Sequence, residues 1–350
     1  MVINISKTKS PHENSGALSG GRQHAPGAWG SDGSVGGNAS GRSAVARPRF
    51  DAPVSQNGYR WWYVDALSDD GQYGLTIIGF VGSVFSPYYK RARKNSKGNP
   101  EDHCALNVAL YGGKRRWAMT ERGAAHVLRE ENNFKIGPSS MAWDGDELVI
   151  EIKERCMPIP SALRGRVRLK PGHIYSSPVA LDANCKHYWQ AVAPDARVSM
   201  DFDNPKLSWS GSAYHDMNWG EEPLEQGFKN WTWLSAKTAT GTEVLYDVER
   251  CDGSHFNFGR RFEDGHIIQR NVPPAYNLPR GFWGMARAAN SDTIPKLIST
   301  LEDAPFYTRN HVEITLDGAP CKAFHESLSL DRFVSPVVQM MLPFRMPRRP

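Results

Sequence analysis

The sequence predicts an all-β protein built from two antiparallel barrel-like halves, and three observations carry that prediction. Short runs rich in aromatic and β-branched residues follow one another; Asp-Gly and Gly-Gly pairs punctuate them; apolar residues hardly ever recur at helical spacing. A succession of such strands must close or stack to remove its edges.

Residues 1–47 are dominated by Gly, Ser, Ala and Asn and are expected to be disordered. Strand character begins at Tyr59-Arg60-Trp61-Trp62-Tyr63-Val64-Asp65-Ala66. Asp69-Asp70-Gly71 then turns the chain, and residues 73–80 return it as a hairpin. Further strands are expected at 105–111, 114–120, 133–136, 140–143, 147–154 and 165–169. The second half repeats the pattern at 228–236, 243–249, 254–262, 266–269, 311–316 and 323–330, with turns at Asp252-Gly253, Asp264-Gly265 and Asp317-Gly318. The halves are set at 48–210 and 211–350, with their junction near Pro205 to Gly220, a favoured location for a pocket.

Composition narrows the function classes. With 11 Trp, 12 Tyr and 14 Phe in 350 residues, most of the chain is folded. The net charge of +5 is a mild basic bias, compatible with an anionic lipid surface or with no charged partner at all, and is too weak a footprint for nucleic acid. Five scattered cysteines without a CxxC pair read as reduced thiols. No export signal opens the chain, and the longest apolar run, residues 75–85, is too short for a spanning helix. Dinucleotide, Walker and Gly-x-Ser-x-Gly motifs are absent, and Cys185 and His187 lack a second pair for zinc, so neither a cofactor nor a metal is expected.

The densest chemistry lies in Ser210-Gly-Ser-Ala-Tyr214-His215-Asp216-Met217-Asn218-Trp219-Gly220, which has no clean period and reads as a loop. His215 and Asp216 are either an acid–base pair or a hydrogen-bonded turn. Asp247, beside Tyr246 in an apolar strand, becomes a proton donor if it faces the interior and does nothing special if it faces water. Trp231 and Trp233 share a strand face, and Trp219, Phe256, Phe258, Tyr276, Trp283 and Tyr307 join them either as core or as an aromatic wall able to stabilise a cation. Lys90, Arg91, Arg93, Lys94 and Lys97 follow Phe85, Tyr88 and Tyr89, forming either a membrane-docking cluster or a solvated loop. Residues 337–349 similarly mix apolar and basic side chains.

The segment from Tyr214 to Leu224, the Trp231-Thr-Trp233 and Leu245-Tyr246-Asp247-Val248 strings, and residues 60–66 and 79–89 together resemble the carotenoid 1,2-hydratases, from Tyr59 to the C-terminal region. The resemblance implies lipocalin-like β-barrel domains and a cofactor-independent enzyme that adds water to the terminal C1–C2 double bond of acyclic carotenoids such as neurosporene and lycopene. It also implies a role in photosynthetic pigment synthesis, peripheral to the inner or chromatophore membrane on the cytoplasmic side.

Carried onto this chain, it places catalysis at His215, Asp216, Trp219, Tyr246 and Asp247. Some relatives have a second histidine where this chain has Met217, so the acid is Asp247 or Asp216. The expected arrangement has Asp247 donating the proton, Tyr246 and His215 holding or relaying it, and Trp219 facing the cation. Asp216 and Asn218 would orient the loop or a water, with Tyr214, Trp231, Trp233, Phe256 and Trp283 binding the substrate. The rival readings are a polyene isomerase or cyclase with a similar acid, and a non-catalytic carrier of hydrophobic ligands.

Overall fold

Alternation along Tyr59–Ser68 sets the architecture. Trp62, Val64 and Ala66 point to one side, Tyr59 and Tyr63 to the other, and both sets are buried. A strand buried on both faces separates two cores and reads as nearly continuous apolar sequence. The structure, a computed structural model, describes residues 47–349. The disorder expected for residues 1–47 falls outside them, Arg47 excepted.

Tyr59–Ser68 pairs with Gly74–Val81 on one edge and Lys206–Gly220 on the other. The 13-stranded sheet continues through Cys104–Tyr111 and Arg116–Arg122 to the short parallel strand Arg348–Arg349. Its other flank runs through His187–Asn204, Ser161–Lys170 and Glu147–Cys156 to the small strands between Val127 and Asp144. It curls until the flanks meet, with the Arg122 guanidinium 2.8 Å from the Glu154 carboxylate. Inside the curl pack Trp62, Phe134, Leu148, Val167 and Phe202.

A second, seven-stranded antiparallel sheet runs in the spatial order His266–Arg270, His255–Glu263, Thr242–Arg250, Phe228–Lys237, Ala319–Ser329, Tyr307–Leu316, Lys296–Asp303. One face packs against the outer face of the first sheet, bringing Tyr63, Phe80 and Tyr214 into one cluster with Trp231, Trp233 and Tyr246. The C-terminal helices Leu330–Phe333 and Pro336–Met341 close that cluster through Phe333 and Val338. Behind the second sheet, Leu234, Leu245 and Ile314 meet the ribbon of Ala275–Asn277 and Ala288–Asn290.

The all-β antiparallel expectation holds, and all five cysteines are unpaired. Two local readings are corrected. Residues 210–220 are not a loop: they belong to Lys206–Gly220, paired along both edges near the middle of the first sheet. Burial on both faces erases the polar–apolar alternation by which a strand is recognised. Its hairpin partner His187–Asn204 escaped the sequence reading because Pro194 interrupts it, and the register shifts on either side of Ala193. The basic segment at 87–94 is an α-helix, Pro87–Lys94, with Pro87 in its first turn and the Ser86 hydroxyl accepting from the Tyr89 amide at 2.9 Å.

Trp62 packs against Phe50 and Phe134 at centroid distances of 4.9 and 5.4 Å, on the face turned away from the second sheet. Trp62→Ala is expected to remove ~3–5 kcal/mol of stability, read from the midpoint of a urea titration.

Candidate active site

Strand pairing fixes what faces the space between the sheets. Tyr63 lies opposite Asp216, Trp61 opposite Asn218 and Asp65 opposite Tyr214. Odd positions of Tyr59–Ser68 and even positions of Lys206–Gly220 therefore share one face. On the facing sheet, Trp233 lies opposite Tyr246 on one side and Glu326 on the other. Between them is a cavity of about 440 Å³ lined mainly by Trp61, Tyr63, Trp231, Trp233, Tyr246, Phe306 and aliphatic side chains. Its polar wall groups include Asp216, Asn218, Glu326 and Glu302. A largely apolar hollow with a few convergent polar groups is the usual form of a small-molecule site.

Asp216 is 3% exposed and holds two hydrogen bonds on one oxygen: the Trp189 indole N–H and the Tyr214 hydroxyl each donate to Oδ2 at 2.8 Å. Oδ1 receives none among the described residues. Burial pushes this carboxyl up from 3.8 to about 7, against the pull of the two donors and with help from the negative charges of Glu326 and Asp65. Such an acid keeps its proton near neutral pH and has a free oxygen on the cavity wall. Beside it, the Asn218 amide donates to the Tyr246 hydroxyl at 3.5 Å, and Tyr246 stacks on Phe258 at 5.2 Å.

Neighbours in a strand point to opposite faces, and this divides the expected residues. His215 turns into the first sheet's core, donates from Nδ1 to the Tyr63 carbonyl at 2.7 Å, and is driven down to about 4 by burial. It is neutral and makes no pair with Asp216. Trp219 is on that same inner face, stacked on Tyr188 at 5.2 Å beneath the Arg60 guanidinium. Asp247 occupies the face of the second sheet opposite to Tyr246; it is half-buried, raised by burial and outside the cavity lining.

Tyr214 stands behind Asp216 as its hydrogen-bond donor, while Asn218, Tyr246, Trp231 and Trp233 line the cavity. Phe256 packs on Phe258 outside the lining, and Trp283 is partly exposed next to Phe282. Among the described residues, no group of three or more His, Cys, Asp or Glu side chains converges as metal ligands.

Sequence reasoning missed a buried ionic group beside this wall. Arg309, 0% exposed, lies between Asp65 at 2.5 Å and Glu326, and its Nη1 donates to the Tyr63 hydroxyl at 2.6 Å. Tyr63 in turn donates to Glu326 Oε1 at 3.0 Å. Elsewhere on the wall, the Tyr111 hydroxyl donates to Glu302 at 2.6 Å. The signal was present in the sequence: Asp65 follows Trp61 and Tyr63 at a spacing of two, and Glu326 sits between Phe324 and Leu328. A charge on an otherwise apolar strand face marks a cost that function or pairing must offset.

Known proteins share this chain's pattern. The family model described as Carotenoid hydratase CrtC matches residues 77–350. The acyclic carotenoid 1,2-hydratase of Thiocapsa roseopersicina is 47% identical over 341 residues, covering 96% of this chain and 84% of that protein. The enzyme of the same name from Rubrivivax gelatinosus is 45% identical over 309 residues, covering 86% and 76%. Among solved structures, an AttH-type protein of Nitrosomonas europaea aligns with a TM-score of 0.55 over 82% of this chain and 97% of its own. Its 17% identity shows the fold alone, in agreement with the lipocalin-like architecture expected above. Matched over 274 of its 350 residues by the family model, and at 47% identity across 96% of its length by the Thiocapsa enzyme, the chain belongs to the carotenoid hydratase CrtC family.

Proposed function

We propose that Asp216 protonates the terminal C1–C2 double bond of an acyclic carotenoid, whose end lies in the aromatic cavity, and that water captures the resulting cation. The chain is a hydro-lyase acting on acyclic carotenoids, as its closely similar relatives are named. Lycopene and neurosporene are the substrates this reading takes, because each carries the reactive bond at the end of a flexible apolar chain.

The observation that carries the assignment is the state of Asp216: a buried carboxyl at about 7, hydrogen-bonded on Oδ2 only and lining an apolar cavity. Protonation at C2 leaves a tertiary cation at C1. A carboxylic acid in water is too weak to reach that cation at useful rates, so the surroundings must favour the transition state over the bound alkene. The ring faces of Trp231, Trp233, Tyr63 and Tyr246 offer negative quadrupoles to the forming charge. Trp189 and Tyr214 hold the carboxylate as it forms, since charge-assisted hydrogen bonds strengthen when the acceptor becomes ionic. Asp247, on the far face of its strand, gives up the donor role expected for it.

The substrate is water-insoluble, and we assign its delivery to an anionic membrane surface at the cytoplasmic side. No helix among the described residues is long and apolar enough to cross a membrane. Phe344 lines the cavity yet is 71% exposed, so it marks the mouth, with Val337 and Met340 at 63% and 69% exposure on the adjoining helix. Lys90 reaches the Val334 carbonyl and the Phe333 ring on this side, while Arg93 is committed to an inner pair with Glu225 at 2.9 Å. Exposed apolar side chains beside a cation suit an interfacial contact.

In labelled water, the purified chain is expected to convert lycopene to a tertiary alcohol carrying solvent oxygen. Recovery of unchanged pigment or an isomer without that oxygen favours the carrier or isomerase reading. Asp216→Asn should lower turnover by about 10²–10⁴-fold while pigment still binds, and Asp247→Asn should leave it within about threefold.

Because the proton-bearing form of Asp216 acts, kcat should fall roughly tenfold per pH unit above about 7. The same raised value makes the neutral form's contribution to stability complete below 3.8 and lost as pH rises through about 7. Asp216→Asn should thus gain in melting temperature relative to the parent as pH rises from about 4 to about 7, and keep a constant lead above that. Flotation with anionic liposomes should be lost in the combined variant Val337→Asp, Met340→Asp and retained on neutral ones only weakly; unchanged flotation removes this face from the contact.

A further inference from the structure

Capture of the cation needs a second group. When water bonds to C1 it becomes an oxonium, and its surplus proton must leave for the alcohol to form. In a cavity walled mostly by aromatic and aliphatic side chains, the water also needs a polar anchor, since it stays only where it finds two or more partners.

Resting on the hydration reading above, we propose that Glu326 is the base that holds the attacking water and takes its proton. Glu326 projects from Ala319–Ser329 of the second sheet, whereas Asp216 belongs to Lys206–Gly220 of the first, so the two carboxyls border the cavity from different walls. They are neighbours across it. Trp233, opposite Glu326 in its sheet, has its ring 5.6 Å from Tyr63 and 5.3 Å from Tyr214, the donors to Glu326 and Asp216 respectively. The charge of Glu326 is also felt at the Asp216 carboxyl.

The two ends of the Glu326 carboxylate are used differently. Arg309 Nη1 and the Tyr63 hydroxyl both donate to Oε1. Oε2 receives no hydrogen bond among the described residues, and the side chain is 18% exposed, on the cavity wall. Arg309, itself fully buried and tied to Asp65, fixes the carboxylate in place and balances its charge. A fixed carboxylate with one free oxygen in an otherwise greasy hollow is a water anchor. Glu302, the third carboxyl of the wall, has no ion pair among the described residues to fix it as a carboxylate, and its Oε1 is taken by the Tyr111 hydroxyl at 2.6 Å.

The step balances as follows. Asp216 gives its proton to C2 and becomes a carboxylate; the alkene π pair forms the C2–H bond and leaves C1 cationic. A lone pair of the water on Glu326 Oε2 forms the C1–O bond, and one water O–H breaks with its proton passing to Oε2. Glu326 then loses that proton to solvent and Asp216 regains one, so the cycle consumes only alkene and water.

The test uses the full chain, lycopene and D2O, with mass analysis of both alcohol and recovered substrate. Removing the base should leave protonation intact, and a cation with no activated water reverts by losing a proton. Glu326→Gln is therefore expected to lower alcohol formation by about 10²–10⁴-fold while deuterium accumulates in recovered lycopene. Asp216→Asn should show neither product, and if it still exchanges deuterium, the donor assignment fails whatever Glu326 does.

Alcohol formation at the parental rate in Glu326→Gln overturns the proposal, because Asp216 would then serve as both acid and base. Loss of exchange together with alcohol in a variant that still binds pigment also overturns it, placing Glu326 on the protonation step. Should the Gln variant not fold, Glu326→Asp keeps the charge but retracts it by one methylene. Its ratio of alcohol to deuterated substrate should fall below the parental ratio, and an equal ratio rejects the role.

Discussion

The proposed chemistry depends on keeping one carboxyl group out of water without satisfying it completely. Asp216 sits where two sheets pack face to face, and its desolvation outweighs two hydrogen bonds that favour the ionised form. If the indole and phenol donors won, the group would be a carboxylate at rest and could not begin the reaction; with neither, the carboxylate left behind would be stranded in apolar surroundings. The structure holds the balance between those extremes by placing both donors on one oxygen.

The two-sheet architecture supplies this environment because its central strands are buried twice. Tyr59–Ser68 and Lys206–Gly220 present one set of residues to the first sheet's interior and another to the second sheet. The inner set is mostly apolar and provides rigidity, with His215 tying its strand to the Tyr63 carbonyl. The outer set carries the acid, the amide and the tyrosines. Arg309 extends the arrangement across the gap, binding Asp65 of one sheet and Glu326 of the other, so an ionic group joins the two walls beside the cavity. Such a buried pair contributes little net stability, but removing one partner is expensive, which makes it a firm spacer.

Much of the fold was legible in the sequence: aromatic and β-branched runs separated by Asp-Gly and Gly-Gly turns gave the antiparallel strands, and most of their positions agree with the structure. The site was legible as a neighbourhood but not as an arrangement. His215 and Asp216, or Tyr246 and Asp247, look like partners in a linear string, yet a pleated strand sends adjacent side chains to opposite faces. Once residues 210–220 are read as a strand, the spacing of two separates Tyr214, Asp216 and Asn218 from His215, Met217 and Trp219. Glu326 and Arg309 were harder to see, because their meaning lies in a contact between sheets far apart in sequence. Trp189 was hidden for a similar reason, in a strand that Pro194 and its bulges disguise.

The doubly buried pairing of Lys206–Gly220 also governs how the family can vary. Between residues 211 and 220 side chains alternate between two unlike environments with no water-facing side to absorb an error, so displacement by a single position would put His215 or Met217 where Asp216 belongs. Substitutions can adjust the pocket gradually, whereas a gained or lost residue within this strand would exchange its inside for its outside in one event. Lineages carrying this site should therefore diverge by replacement in the strand and confine their changes of length to the turns beyond it.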